Sequence, residues 1–500
     1  MNTYPTTLYT PAQVRALDRS AMADHGISGG LLMARAGRCA WRVLRQRYPS
    51  AQRIMVLCGG GNNGGDGYVI ARLAAEAGLA VDLCSFGASA NVNGDAARAA
   101  QQALDCLTPV AFSTDRAQSA EVIVDALFGI GLDRLISGEL AMWIKAVNQA
   151  ARPVIAVDVP SGLSAQTGQV LGCAIKATIT TTFIGLKQGL FTGQARDYVG
   201  EIIFDDLQVP KAIYSGISPS TWRLDEQCRQ QRLVKRPKTS HKGDCGEVLL
   251  VGGDQGMGGA IRLAAEAAAR TGAGLTRCLT RPEHVTAVLA ARPELMTHGV
   301  SDPVTESEQN QRLFARADIL AIGPGLGQGD WGQTLLTQAL DAQQPLVVDA
   351  DGLNGLAQMA KSAGRVLVRD DWVLTPHPGE AARLLDIAVG EIEADRFAAV
   401  IALAQRFGGV AVLKGAGTLI SDGAQVYLCD RGNPGMASGG MGDVLTGVIA
   451  GLWAQGLNAL DAACLGVDVH ARAADNAAMS GERGLLAGDV VAALREVVNP

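Results

Sequence analysis

RIMVLCGGGNNGGDGYVIARLAAEA, residues 53–77, carries the signals that decide the fold. RIMVLCG is a short apolar run closed by glycine, the mark of a strand buried on both faces. CGGGNNGGDGY is a turn, and its Asn and Asp tolerate the left-handed conformations that tight turns need. Behind it a helix is expected over 69–77. Two asparagines and an aspartate among six glycines exceed what a packing turn requires, so this turn also reads as facing a ligand.

The same rhythm continues outward. In the first half it recurs at VDLCSFG (81–87), VIVDALFG (122–129), PVIAVDVPSG (153–162), ATITTTFIG (177–185) and EIIFDD (201–206). The second half restarts it with EVLLVGG (247–253), LTRCLT (275–280), DILAIGPGLG (318–327), PLVVDADGLN (345–354), WVLTPHPGE (372–380) and VAVLKGAGT (410–418). The expected class is α/β: a doubly wound parallel sheet followed by a second α/β domain, with ligands at the carboxyl ends of the strands. Residues 207–230 break the pattern with LQVPKAIYSGISPSTW, rich in Pro, Ser and Gly. A linker is placed at 213–223, dividing the chain into domains 1–212 and 224–500. At 500 residues the chain exceeds one ordinary core, which agrees with that division.

Composition removes several functions. A net charge of −6 with dispersed Arg and Lys argues against a nucleic-acid surface. No apolar run reaches the ~20 residues that span a bilayer, so no membrane partner is expected. The ten cysteines form no CxxC pair and the six histidines show no ligand spacing, which excludes a disulfide framework and a zinc site. The start MNTYPTTLYT has neither a basic nor an apolar leader region, so a cytoplasmic protein is expected, and a homo-oligomer.

NPGMASGGMGDVLTG (433–447) is the most chemical stretch. Glycines before a helix start let a phosphate approach unpaired N–H groups. Asp443 repels a phosphate, so its use is as a base that takes a proton from an attacking hydroxyl; the plain alternative is a helix cap. GGDQGMGGA (252–260) and GPGLG (323–327) end two strands and are weak singly. In TPHPGE (375–380) two prolines hold His377 in an exposed turn and rule out a regular helix. KGAGT (414–418) offers a cation with glycines, suited to a nucleotide's phosphates, or else a hairpin with an exposed lysine. Together these describe nucleotide-dependent phosphoryl transfer.

In order and spacing these motifs, with HKGDCG (241–246), resemble the ADP-dependent NAD(P)H-hydrate dehydratases, a family with a ribokinase-like fold. The resemblance implies that the hydrate's C6 hydroxyl is phosphorylated at the expense of ADP, with Mg2+, and that loss of phosphate leaves NAD(P)H and AMP. It implies that Ala260, Gly325, His377 and Asp443 contact the hydrate. Lys414, Gly415, Ala416, Gly417, Thr418 and Gly442 would contact the adenine nucleotide.

The first half offers oxygen ligands. Asp125 ends a buried strand, which is costly unless it is paired, protonated or bound to a cation. With Asn63 and Ser161 it makes one carboxylate and two neutral oxygens, a set better suited to a monovalent cation than to zinc. NNGGD, DALFG and DVPSG closely resemble the NAD(P)H-hydrate epimerases of the YjeF N-terminal type, a Rossmann-like fold. That resemblance implies interconversion of R and S hydrates of NADH or NADPH, with K+ at Asn63, Asp125 and Ser161. Asn62, Asn63, Gly64, Gly65 and Asp66, then Gly129, Ile130, Gly131, Leu132, Asp133, Arg134 and Leu135, and finally Asp158 would hold the hydrate. Asp158 is the expected proton-transfer group. Ile130 and Leu135 depart from the family's Thr and Pro. The rival reading is a ribokinase-type small-molecule kinase with a non-catalytic first domain.

Overall fold

The computed structural model describes residues 4–87, 94–219, 221–363 and 366–499. The chain divides into two compact units, Met1–Trp222 and Arg223–Pro500.

The first unit is built on β2 (Arg53–Cys58), β3 (Ala80–Ser85), β4 (Val122–Ala126), β5 (Val154–Val157), β6 (Ile179–Phe183) and β8 (Glu201–Asp205). They form a sheet in the order β3-β2-β4-β5-β6-β8, parallel throughout. Each apolar run quoted for this half is one of these strands, and four of the six are buried at every residue or all but the first. Short strands β1 (Thr7–Tyr9), β7 (Leu186–Lys187) and β9 (Thr221–Arg223) pair apart from it, β1 parallel to β7 and antiparallel to β9. From β2 the chain goes to β3 on one side and returns to β4 on the other. The connections that leave the carboxyl ends of β2 and β4 therefore run to opposite sides, which opens the crevice where ligands bind in such sheets. Apolar clusters cover both faces, one around Leu44, Val56 and Ile70, the other around Leu57, Trp143 and Ile144.

The helix after β2 runs Asn62–Glu76, starting seven residues before the expected 69. Its glycines lie in the helix because the helix start packs hard on the turn before it and on the strands. A Cβ on Gly64 would stand 1.9 Å from the carbonyl oxygen of Gly59, and one on Gly67 would stand 2.6 Å from the Cβ of Ala126. Local sequence scores glycine against helix; tertiary packing demands it here.

The second unit carries β10 (Glu247–Val251), β11 (Leu275–Thr280), β12 (Met296–Gly299), β13 (Ile319–Ile322), β14 (Leu346–Val348), β15 (Trp372–Leu374), β16 (Val410–Leu413), β17 (Thr418–Ser421) and β18 (Val426–Cys429). Their order is β12-β11-β10-β13-β14-β15-β16-β17-β18, parallel up to β16 and antiparallel after it. The helices Gly258–Thr271 and Met441–Trp453 cross at two glycines spaced by one turn. A Cβ on Gly447 would lie 1.9 Å from the Ala264 oxygen, and one on Gly451 would lie 2.7 Å from that of Ala268. That close approach brings the start of each helix to the same end of the sheet.

Three local expectations change. The stretch 207–230 is not bare linker, since it holds β9 and the start of a helix, Glu226–Arg232. His377 does not exclude a helix: it caps Pro378–Leu385, whose first position takes proline without loss because the N–H there is unpaired anyway. β12, β17 and β18, missed in the sequence, are short strands at the sheet's two ends. Among the described residues no helix is long and apolar enough to cross a membrane. All ten cysteines are free thiols.

Candidate active sites

In the first unit a cavity of about 500 Å3 opens where the carboxyl ends of β2, β4 and β5 face outward. The helix start after β2 contributes Asn62, Asn63 and Asp66 to its wall, and the turn after β4 contributes Gly129, Ile130, Gly131 and Leu132. Asp158 enters from the end of β5. Gly64 and Gly65 are buried within the helix, and Asp133, Arg134 and Leu135 are exposed outside the cavity wall. Ile130, where the family has Thr, packs its side chain against the apolar cluster.

Asp125 is fully buried at the end of β4. It accepts hydrogen bonds from the Ser161 N–H (2.8 Å), the Ser161 hydroxyl (2.6 Å) and the Leu127 N–H (3.3 Å). Burial pushes its carboxyl up to about 6 against those bonds, and among the described residues no side-chain cation offsets it. Nearby, the Phe128 N–H donates to the Ser161 hydroxyl at 2.9 Å. The Asn63 amide is buried with neither its oxygen nor its nitrogen hydrogen-bonded. A buried amide left so costs about 1–3 kcal/mol, and a carboxylate without a counter-charge costs more. Both facts fit a cation taking oxygens from Asn63, Asp125 and Ser161.

Two residues bordering this cavity escaped the sequence reading. Asp18 lies on the helix Pro11–Ala23, within its apolar stripe of Val14, Leu17 and Ala21. That charge in a buried stripe was the available signal. Burial raises its carboxyl to about 6, Asp158 adds to the rise, and Lys187 opposes it. Lys187, at the end of β7, is 1% exposed and donates to Asp158 Oδ1. Asp66 is also held well above the usual carboxylate range, by burial and then by Asp158 and Asp18.

In the second unit the motifs meet around one buried carboxylate, Asp349, at the end of β14. Its Oδ1 accepts from the Lys414 ammonium at 2.7 Å, and its Oδ2 accepts from the Thr446 hydroxyl at 2.9 Å. Burial alone would raise it, but Lys414 and the hydroxyls of Thr446 and Thr375 outweigh burial and hold it low. Lys414 is therefore no exposed hairpin lysine: it is bound to Asp349 and lies 3.7 Å from Glu380. Gly442 sits against this pair, since a Cβ there would be 3.3 Å from Lys414 Nζ and 3.4 Å from Asp349 Oδ2. Gly415, Ala416 and Gly417 form the tip between β16 and β17, with Thr418 opening β17 and donating to the Gly415 oxygen at 3.0 Å. Beneath the tip the fully buried Arg396 donates to the carbonyls of Leu413 (3.3 Å) and Lys414 (3.1 Å).

Asp443 stands in the first turn of Met441–Trp453. The cap of that helix is Gly440, in a left-handed conformation (φ 89°), and no side chain caps it. The plain cap role for Asp443 is thus not what the structure holds. Burial raises its carboxyl to about 7, with Asp349 adding and Lys414 opposing. Ala260 and Gly325 meet each other: a Cβ on Gly325 would lie 3.1 Å from that of Ala260. His377 is exposed, and its Nδ1 accepts from the Gly379 N–H at 2.9 Å. His470, on the helix Ala459–Ala477, is buried with Nε2 unbonded and is pushed down to about 4 by burial and by Lys414. Asp349, Thr446 and Arg396 were not singled out in the sequence. For Asp349 the signal was present, because PLVVD ends a buried strand on a carboxylate just as VIVD does.

Residues 248–495 match the family model described as NAD(P)H-hydrate dehydratase, and residues 29–189 match that described as YjeF-related protein N-terminus. The chain is 48% identical over 498 residues to a bifunctional NAD(P)H-hydrate repair enzyme of Coxiella burnetii, covering 99% of this chain and all of that one. It is 44% identical over 500 residues to the bifunctional NAD(P)H-hydrate repair enzyme of Escherichia coli, covering 99% of this chain and 95% of the other. Among solved structures, a ribokinase-like superfamily protein of Enterococcus faecalis is similar with 29% identity and a TM-score of 0.52, over 56% of this chain and 96% of that one.

Proposed function

The chain belongs to the family of bifunctional NAD(P)H-hydrate repair enzymes, and on that premise we propose that it restores damaged nicotinamide cofactor in two steps. The first unit interconverts the R and S hydrates of NADH and NADPH. The second dehydrates the S form, consuming ADP with Mg2+ and releasing AMP and phosphate. The observation that carries the reading is Asp443 itself: a half-buried carboxyl, free of any capping duty, at the head of a helix behind a glycine loop.

Dehydration needs a leaving group better than hydroxide. Asp443 takes the proton of the C6 hydroxyl as that oxygen attacks the terminal phosphoryl group of ADP, and the phosphorylated hydrate then expels phosphate, pushed by the ring nitrogen's lone pair. Ala260, Gly325 and His377 hold the hydrate. Gly415, Ala416, Gly417, Thr418 and Gly442 keep side-chain bulk away from the nucleotide. Lys414 is part of the nucleotide contact and shares its charge with Asp349. In the first unit Asp158 moves the proton at C6, with Asn62, Asn63, Gly64, Gly65 and Asp66 on one side. Gly129, Ile130, Gly131 and Leu132 lie on the other, and Asp133, Arg134 and Leu135 continue that turn outside the cavity wall. Asn63, Asp125 and Ser161 would hold K+, which when bound would supply positive charge between these two loops. Ten free thiols fit a reducing, cytoplasmic setting. The expected homo-oligomer is checked by light scattering of the full chain.

Mixed R and S hydrates of NADH incubated with protein and ADP are expected to return fully to NADH, with AMP released in equal amount. A phosphorylated product that accumulates without recovery of NADH would establish a kinase instead. Because Asp443 is raised to about 7, the dehydratase rate should climb as pH rises through about 7 and the base form fills. A flat profile of kcat between about pH 6 and 8 would count against Asp443 as the base. Each unit has its own core, so the two compact units Met1–Trp222 and Arg223–Pro500, produced as separate pieces, should keep separate activities. The second piece alone is expected to repair the S hydrate with ADP and to leave the R hydrate to spontaneous epimerisation.

A further inference from the structure

Charge around the first cavity is lopsided. Asp18, Asp66 and Asp158 all border it, and Lys187 is the one buried cation among its lining residues. An ammonium buried to 1% exposure is tolerated only when its donors are used. Lys187 uses all three: one on Asp158 Oδ1, one on the Thr182 hydroxyl at 3.0 Å and one on the Phe183 carbonyl at 2.9 Å. Two of the three anchors belong to β6, so the ammonium is fixed to the sheet before it meets Asp158.

Asp158 shows what the fixing achieves. Its backbone is left-handed, φ 68°, a conformation that costs a non-glycine residue about 1–3 kcal/mol and persists only where surroundings over-determine it. Its two oxygens are not equivalent. Oδ1 is bound to Lys187, whereas Oδ2 faces Gly129, 3.2 Å from where a Cβ on that glycine would be, beside the Asn63 amide. Gly129 and Asp158 both line the cavity, and a side chain on Gly129 would crowd Oδ2.

We propose that Lys187 is a positioning residue of the epimerase centre: it clamps one oxygen of Asp158 to β6 so that the other is aimed into the cavity for proton transfer at the hydrate. The inference rests on the epimerase reading of the first unit. Lys187 does not touch the hydrate itself; it acts through Asp158. A merely structural lysine would stabilise the turn between β6 and β7 with no bearing on Asp158's rate.

The test uses the full chain with K+ and pure R hydrate of NADH, following R-to-S conversion by chromatography above the spontaneous background. Lys187→Met is expected to lower kcat about 100-fold, the scale of an ångström of misplacement, with KM within about threefold. Lys187→Arg keeps the cation but shifts its donors, and should run about tenfold above Lys187→Met and tenfold below wild type. The decisive arm is the pair Asp158→Asn and Asp158→Asn/Lys187→Met. If Lys187 acts through Asp158, the double variant is as slow as Asp158→Asn alone, to within about threefold. The double variant leaves no lone buried charge, so it folds even where Lys187→Met is unstable, and melting temperatures are recorded for all. Losses that multiply in the double variant, or a Lys187→Met rate within about threefold of wild type, overturn the clamp. If Lys187→Met does not fold, Lys187→Arg decides: a rate within about twofold of wild type overturns the proposal. A wild-type chain that fails to interconvert the epimers refutes the epimerase reading itself, before any variant is compared.

Discussion

Asp443→Asn is expected to cut ADP-dependent recovery of NADH from the S hydrate by about 10²- to 10⁴-fold, the usual contribution of a general base. ADP binding should hold within a factor of about three, because the glycine loop and the helix start remain and the lost charge is one that repels phosphate. The same variant makes a stability prediction of definite sign. The folded carboxyl is raised to about 7 from its ordinary 3.8, chiefly by burial. The unfolded chain therefore loses its proton first, and stability is highest below the unfolded value and falls as pH rises through the folded one. Asparagine carries no charge to bury, so Asp443→Asn should melt higher than wild type at about pH 8, with the gap closing by about pH 4. A variant that is less stable at every pH and still within a few fold of wild-type rate would return Asp443 to a structural role.

Asp125→Ala is expected to abolish epimerisation while ADP-dependent repair of pure S hydrate stays near wild type. Of the three groups Asn63, Asp125 and Ser161, Asp125 supplies the one charged oxygen, and Asn63 and Ser161 alone would hold K+ too weakly to organise the two loops. The substitution also strips acceptors from the Ser161 and Leu127 N–H groups. Asp125→Asn separates the two effects, since it keeps an acceptor and removes the charge. Loss of the K+ response in both variants is the expected result. Rubidium soaked into crystals of the wild type should give an anomalous peak touching Asp125. An Asp125→Ala chain that epimerises at full rate would make the carboxylate structural and the cation site wrong.

Much of this was legible because it is local. A parallel strand buried on both faces must be a continuous apolar run, and its end must be a turn, so the core strands of both sheets stand in the sequence as VIVDA or VAVL do. A carboxylate at such an end is conspicuous for the same reason, which is how Asp125 and Asp158 were found. What only the tertiary structure decided is what lies across the fold. Lys414 reaches Asp349 across 65 positions and Thr446 reaches it across 97, so the lysine offered to a nucleotide's phosphates is also paired with a buried carboxylate. Lys187 on β7 and Asp158 just past β5 are 29 positions apart, and Asp18 borders their cavity from a helix near the chain's start. The glycines of NNGGDG lie in a helix where the turn backbone at Gly59, Met33 of a neighbouring helix and the strand residues Cys58 and Ala126 leave no room for a side chain. Periodicity and turn chemistry are written in neighbouring residues. Which charges share a cavity depends on how strands and helices are packed, and no spacing along the chain encodes it.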